Sequence, residues 1–403
     1  MVSILGMGIG GTTKRNDSLF RQSTSIFALM ALSCGCDGAH SKSGLGQSAA
    51  PRATPAPGPS IAAARAAAPV VAAAPARPSI APLKVEVQDE AMGTSLHFVA
   101  YTSESLDEPQ TRAAITAAIT EIRRLERILS EWRPDSELSL VNARAGEWVP
   151  IGPETERVIE RGLWAGKLSS GSFDITFQAL SKVWKFGSAQ EEHPKPPRRA
   201  DVERLRKLVD YRQVVLDEAG HRVRIGKGQQ LGLGGIAKGY IVDRAAKVLR
   251  DAGVTAFLAQ AGGDLYGAGR KPDASPWVSG VQDPRGEQGR YFAVLELTDH
   301  AFSTAGDYAR SYVVDGKRYH HIIDPKTGYP AAACRSVTVW APDATTADGI
   351  DDAVFILGPE RGLELVESLE GVGAVIVDAS NRVFISERVK DKVRILGAPT
   401  DSP

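Results

Sequence analysis

Three short segments hold the residues best suited to chemistry. Gly232-Leu233-Gly234-Gly235-Ile236-Ala237-Lys238-Gly239 is the densest glycine run in the chain, and helical periodicity follows it. Free backbone N–H groups at a helix start, with the helix dipole behind them, can hold an anion, and a phosphate is the natural candidate. The run has neither the GK[ST] ending of a Walker loop nor a GxGxxG inside a βαβ unit. By itself it reads equally as a phosphate cradle or as a tight turn. Further on, Asp351 and Asp352 stand three and four residues beyond Asp348, on one helical face. Crowded carboxylates repel, and a divalent cation among hard oxygen ligands relieves that, favouring magnesium or calcium over zinc. The competing reading is a solvated helix start whose acids complement the dipole. The apolar run Ala353 to Leu357 implies a buried helix and tips the balance toward the metal. Tyr319-His320-His321-Ile322-Ile323-Asp324-Pro325 sets paired imidazoles at the end of a strand, before a turn at Thr327-Gly328. A lone histidine is usually structural, whereas a pair beside an acidic turn can supply a base for a hydroxyl proton. Ser172-Phe173-Asp174-Ile175-Thr176 adds a carboxylate between apolar residues. Spacing alone reaches metal-dependent phosphoryl chemistry and no further.

Elements of regular structure must carry these groups. Between Glu108 and Leu129 the apolar positions Ile115, Ala118, Ile119, Ile122, Leu125 and Leu129 predict an amphipathic helix. Further helices are expected at Glu154 to Leu168, Lys238 to Asp251 with Gly253 as its stop, Ala347 to Leu357, and Arg361 to Leu369. Strands are expected at Val85 to Gln88 and Ser95 to Tyr101 around a turn at Met92-Gly93. Phe257 to Gln260, Ser279 to Gln282, Ser311 to Val314, Val337 to Trp340 and Ala374 to Val377 also read as strands. Strands run together without regular helical crossovers, which argues for an α+β fold: one compact domain of mixed or antiparallel sheets with packed helices.

The chain has 403 residues, with 48 basic and 48 acidic side chains and 43% hydrophobic residues. Zero net charge gives no pull toward nucleic acid or an anionic membrane face. Of three cysteines, only Cys334 falls in the globular part, without metal spacing, and it reads as a small buried apolar residue. The first 33 residues have the order of a secretory signal: Lys14, Arg15 and Arg21, then an apolar run from Ile26 to Leu32 too short to span a bilayer. Ala31-Leu32-Ser33-Cys34 resembles a bacterial lipoprotein cleavage box, so the expected product is extracytoplasmic, either anchored through a lipid on Cys34 or simply secreted. Residues 34–83 read as a disordered tether, in which Ala49 to Pro82 is about two-thirds Ala and Pro and would span on the order of 100 Å if wholly extended. The domain is expected over 84–398.

Read in order, the segments around these residues resemble the ApbE family of FAD:protein FMN transferases over residues 88 to 385. The matching pieces are Met92-Gly93-Thr94, SEWRPDSELSLVN (130–142), GSFDIT (171–176), GGIAKGYIVD (234–243), Gly262-Gly263-Asp264, STAGDY (303–308), HIIDPKTGYP (321–330) and ADGIDD (347–352). The resemblance implies a magnesium-dependent transfer of FMN from FAD to a threonine hydroxyl of an extracytoplasmic acceptor protein of an electron-transfer system, with AMP released. It implies flavin contacts at Met92, Trp132, Ser172, Phe173, Asp174, Gly234, Lys238 and Ile323. It further implies metal ligation by the Gly235 backbone and by Asp348, Asp351 and Asp352. His321 or Asp307 would take the threonine proton.

Some positions depart from the family pattern. Gly232 stands where an aspartate is usual, removing a side chain expected near FAD; Ala305 stands for a serine, Asp352 for a threonine, and Trp132 for a tyrosine. Two other outcomes therefore stay open: a metal-dependent FAD pyrophosphatase giving FMN and AMP, and a flavin-binding lipoprotein without turnover.

Overall fold

Along Lys84–Ala91 (β1), Val85 and Ala91 are buried while Glu86, Gln88 and Glu90 face water, the pattern of an edge strand. A two-residue turn at Met92-Gly93, with φ of 54° and 66°, returns the chain into Thr94–Tyr101 (β2). Positive φ at both turn residues matches the twist of a tight hairpin, and Gly93 supports it without strain. The structure, a computed structural model, describes residues 81–186 and 194–402. The expected signal segment, Cys34 and the tether up to residue 80 lie outside the described residues.

Six more strands extend this hairpin: Phe257–Ala261 (β3), Asp264–Ala268 (β4), His300–Gly306 (β5), Cys334–Ala341 (β6), Gly373–Asp378 (β7) and Val383–Ile385 (β8). They form one eight-stranded sheet whose spatial order is the chain order, β1 to β8, with every neighbour antiparallel. The α+β expectation holds.

Both faces of the sheet are covered, as strand alternation requires. On β2, Phe98 and Ala100 join the core beneath the helices, while Val99 joins a second cluster with Trp277, Phe292 and Leu295. That second face is closed by a three-stranded sheet of Trp277–Gln282, Tyr291–Leu297 and Val393–Ile395.

The helices are Glu108–Leu129 (α1), Glu137–Ala143 (α2), Pro153–Leu168 (α3), Arg199–Arg206 (α4), Ala237–Asp251 (α5) and Ala344–Glu367 (α6). Helix α1 has the predicted bounds and opens on a capping box between Asp107 and Gln110. Helix α6 comprises the two predicted helices in tandem. It starts three residues earlier and is interrupted at Gly358-Pro359, where the non-helical backbone of Gly358, at a φ of 80°, separates the two helical stretches. Helices α5 and α6 meet closely at Gly239, where a Cβ would lie 2.1 Å from the Ala344 carbonyl oxygen. Only glycine allows that approach.

Candidate active site

The start of α6 shows what its acidic residues are for. Asp343 accepts from the Thr346 N–H at 2.7 Å, and Asp243, on α5, accepts from the Ala344 and Thr345 N–H groups at 2.8 Å each. Two other carboxylates therefore cap the helix, and burial pushes Asp243 up to about 6. The first turn contains no acidic residue. Asp348 and Asp351 lie further in and are buried, with Asp352 half-buried beside them. They are not a solvated helix start.

These aspartates belong to a connected polar face. Asp348 Oδ2 accepts the Gly239 N–H at 2.9 Å, and its Oδ1 lies 3.3 Å from Lys238 Nζ. Lys238 Nζ also reaches Asp264 Oδ2 at 2.5 Å. Ser303 Oγ sits 2.5 Å from Asp264 Oδ1 and 2.7 Å from Asp351 Oδ2. A hydroxyl has one proton to donate, so one of those carboxyls must itself carry a proton. Asp351 is the one: its Oδ1 accepts the Asp352 N–H, and burial together with Asp352 and Asp348 raises it well above the carboxylate range. Burial and Asp264 likewise push Asp348 up to about 7, and burial brings Asp352 to about 6. Burial works against the Lys238 ammonium, but Asp264 and Asp348 more than reverse that and keep it charged.

This donor set suits a hard divalent cation. Four carboxylates face one ammonium, and the upward shifts of Asp348, Asp351 and Asp352 relieve only part of that excess negative charge. Among the described residues, no three His, Cys, Asp or Glu side chains converge as ready-made metal ligands. The oxygens of Asp348 and Asp351 face Lys238, Gly239 and Ser303 instead. The glycine run lies against the same face: a Cβ on Gly235 would sit 3.1 Å from Asp352 Oδ2 and 3.1 Å from the Phe173 ring, whereas one on Gly234 would meet nothing within 4 Å. Gly234 thus marks an open approach to the start of α5.

His321 borders this region, and Lys238 is near enough to oppose its protonation. Burial, then Arg310 and His320, lower it to about 3, so the imidazole is neutral. Its Nδ1 is buried and has no hydrogen-bond partner among the described residues. Its neighbour His320 is structural, with Nε2 bonded to the Ala331 carbonyl at 2.8 Å. Asp307, the second candidate base, is held in place by an ion pair. Arg285 grips both its oxygens, at 2.6 and 2.7 Å, in a pair with both side chains buried. The pair keeps Asp307 ionised and leaves each oxygen one further lone pair.

Other expected contacts divide. Phe173 borders Gly235, and Ser172 is buried in the same loop, whose Phe173 N–H is held by Ser169 Oγ at 2.9 Å. Met92 sits in the hairpin turn with its N–H on Glu126, and Trp132 is 79% exposed on the loop after α1, its ring free for a planar ligand. The Asp174 carboxylate braces the loop from within: Oδ1 accepts from the Thr176 N–H and hydroxyl, and Oδ2 from the Tyr211 N–H. The Ile323 side chain is turned away, into an apolar cluster with Leu180, Trp184 and Tyr312. Ala305 is buried against Val337 and Ile350. Asp264 and Ser303, central to the polar face, had no role assigned from sequence, although both fall in matching segments. Arg285 carried no sequence signal at all.

Residues 92–376 match the model of the ApbE family. The chain is 34% identical over 305 residues to an FAD:protein FMN transferase of Treponema pallidum, covering 72% of this chain and 83% of that protein. It is 31% identical over 255 residues to one of Salmonella typhimurium, covering 62% and 72%. Among solved structures, the ApbE protein of Thermotoga maritima superimposes with a TM-score of 0.69 at 34% identity, covering 76% of this chain and 97% of that one. The flavin transferase ApbE of Vibrio cholerae gives 0.68 at 26% identity, covering 77% and 99%.

Proposed function

We infer the reaction from one premise: the chain belongs to the ApbE family. It is a transferase that moves the FMN half of FAD onto a protein, and we propose that the acceptor atom is a threonine hydroxyl and that magnesium is required. The observation that carries this reading is the buried carboxylates of Asp264, Asp348 and Asp351 around the half-exposed Lys238 ammonium, set beside an open glycine loop at the start of a helix.

The diphosphate of FAD lies at Gly234 and Gly235, where backbone N–H groups and the α5 dipole favour its charge. Asp348, Asp351, Asp352 and the Gly235 backbone would hold Mg²⁺, which when bound neutralises diphosphate charge and favours departure of the nucleotide. Phe173, Ser172, Met92 and the exposed Trp132 ring are placed to hold the flavin side. The threonine Oγ attacks the FMN phosphorus as the bond from that phosphorus to the bridging oxygen breaks. AMP leaves with that oxygen, and the threonine proton passes to His321. Burial keeps His321 neutral, with a lone pair to offer, but the same burial opposes the imidazolium that forms, so the step relies on the bound diphosphate to stabilise that charge. The acceptor belongs to an extracytoplasmic electron-transfer protein, and the enzyme is anchored there through Cys34.

The test incubates the full chain with FAD, Mg²⁺ and a threonine-containing flavin acceptor domain, with and without EDTA, following acceptor mass and AMP. Metal-dependent gain of one FMN per acceptor with one AMP released is the expected result. Free FMN would make the chain a pyrophosphatase, and unchanged FAD with several acceptors would make it a binding protein.

A further inference from the structure

Helix α4 packs against the turn that follows His321, and between them lies a cavity of about 420 Å³ lined by Arg199, Glu203, Arg206, Lys326, Thr327 and Tyr329. The cavity is built into the fold. Ile323-Asp324 pairs antiparallel with Tyr329-Pro330, and the Asp324 carbonyl accepts the Thr327 and Gly328 N–H groups at 3.2 and 2.8 Å. Gly328, at a φ of 76°, lies so near α4 that a Cβ would sit 2.8 Å from Val202 Cγ1. Its carbonyl accepts the Trp184 indole N–H at 2.8 Å, and the Trp184 ring stands edge-on to Tyr329 with centroids 5.7 Å apart. Arg206 closes the junction with Nη1 on the Lys326 carbonyl at 3.1 Å.

The lining is cationic. Arg199 is ion-paired with Glu203 at 2.6 Å, whereas neither Arg206 nor Lys326 has an acidic partner among the described residues. The Lys326 ammonium is exposed. The chain as a whole balances 48 basic against 48 acidic residues, so two uncompensated cations at one cavity are a local feature.

We propose that this cavity docks acidic side chains of the protein that receives FMN, no more than about five residues from its threonine. The inference rests on the transferase reading above. Lys326 lies five residues beyond His321, so their backbones are at most about 17 Å apart at roughly 3.4 Å per residue. An extended acceptor segment whose threonine stands at His321 spans that distance in the same number of residues. An ammonium beside the free N–H groups of an arginine fork supplies the charged donors that one or two carboxylates accept. A nucleic-acid backbone would call for a longer basic track, and the neighbouring Arg198 and Arg204 are already ion-paired with Asp201. Charges at such an exposed site select the partner and speed its encounter.

Transfer kinetics and calorimetry of the full chain with two acceptor domains test this: one with Asp or Glu within about five residues of its threonine, and the same domain with those acids changed to amides. KM should be about fivefold lower for the acidic acceptor, and salt raised from about 50 to about 300 mM should narrow the gap. Lys326→Glu should raise the acidic acceptor's KM by about fivefold, with kcat, FAD affinity and melting temperature little changed. Lysines placed at the acceptor's acidic positions should restore KM in Lys326→Glu, a rescue that a merely structural role would not give. Equal KM for the two acceptors, a loss of kcat at unchanged KM in Lys326→Glu, or failure of the charge-swap rescue would overturn the proposal. So would a change in the sedimentation of the chain alone in Lys326→Glu, which would assign the cavity to a second copy. Calorimetry separates the two readings: transfer without charge preference sinks this inference alone, and tighter binding of the acidic acceptor with no FMN transferred sinks the transferase reading alone.

Discussion

On the face shared by α5 and α6, each carboxylate oxygen of Asp264, Asp348 and Asp351 has a partner within the protein. Across the site, Glu131 and His321 each bury a polar atom that has none among the described residues. The first region is assembled by folding, its charge held by Lys238 and protons until something else takes their place. The second is left incomplete, and a buried polar atom without a partner marks where a ligand or a reacting group must arrive. Substitutions should therefore trade stability against activity differently in the two regions.

The largest effect is expected from Asp348→Ala, which removes the partner of both the Gly239 N–H and Lys238. FMN transfer, read from acceptor mass, should fall by on the order of 10²–10³, and stability should fall by about 3 kcal/mol in chemical denaturation. A stable variant would break the comparison. His321→Ala should lower transfer by on the order of 10² while FAD affinity and melting temperature change little. Equal loss of binding and transfer would make His321 a binding or structural residue. Gly239→Ala forces α5 and α6 apart and should cost about 3 kcal/mol, measured by denaturant unfolding.

A smaller effect is the pH dependence of the metal-free protein. Asp348 is held up to about 7 and Asp352 to about 6, against roughly 4 for an ordinary carboxylate. Between those values the folded chain binds protons that the unfolded chain does not. The stabilisation they give is complete below about 4 and lost as pH rises through about 7. His321, lowered to about 3, acts oppositely, but only below the ordinary histidine value of about 6.5. Melting temperature in EDTA should thus fall between pH 6.5 and 8, and Mg²⁺ should flatten that slope by replacing protons. A slope indifferent to Mg²⁺ would disconnect the aspartates from the metal. The smallest effect is the stability change of Gly234→Ala, within about 0.5 kcal/mol because its Cβ meets nothing; its FAD binding should nevertheless weaken.

Local pattern made part of this legible. The 22-residue amphipathic run fixed α1, Gly253 closed α5, and the spacing of Asp348, Asp351 and Asp352 put them on one helical face. Helices α2 and α4, of seven and eight residues, are too short for periodicity to speak. Gly358-Pro359 reads as a break, and the left-handed φ of 80° at Gly358 makes it one within α6. In the site, what escaped reading is long-range: Ser303 joins residues 39 and 48 positions away, and Lys238 pairs with an aspartate 110 positions on. The ion pair that holds Asp307 is likewise hidden, because Arg285, 22 residues upstream, is invisible to a motif.

Because the eight strands lie in space in the order they occur in the chain, the sheet can grow at one edge as the polypeptide emerges N-terminus first. Each new strand finds its template already laid down, so few long loops must close at once, a favourable route for a large β-rich domain. The polar face is a late product of that route. It joins residues 238, 264 and 303 to 348 and 351, so a nascent chain carries most of its sheet before it has a site, and the enzyme ripens only when α6 docks.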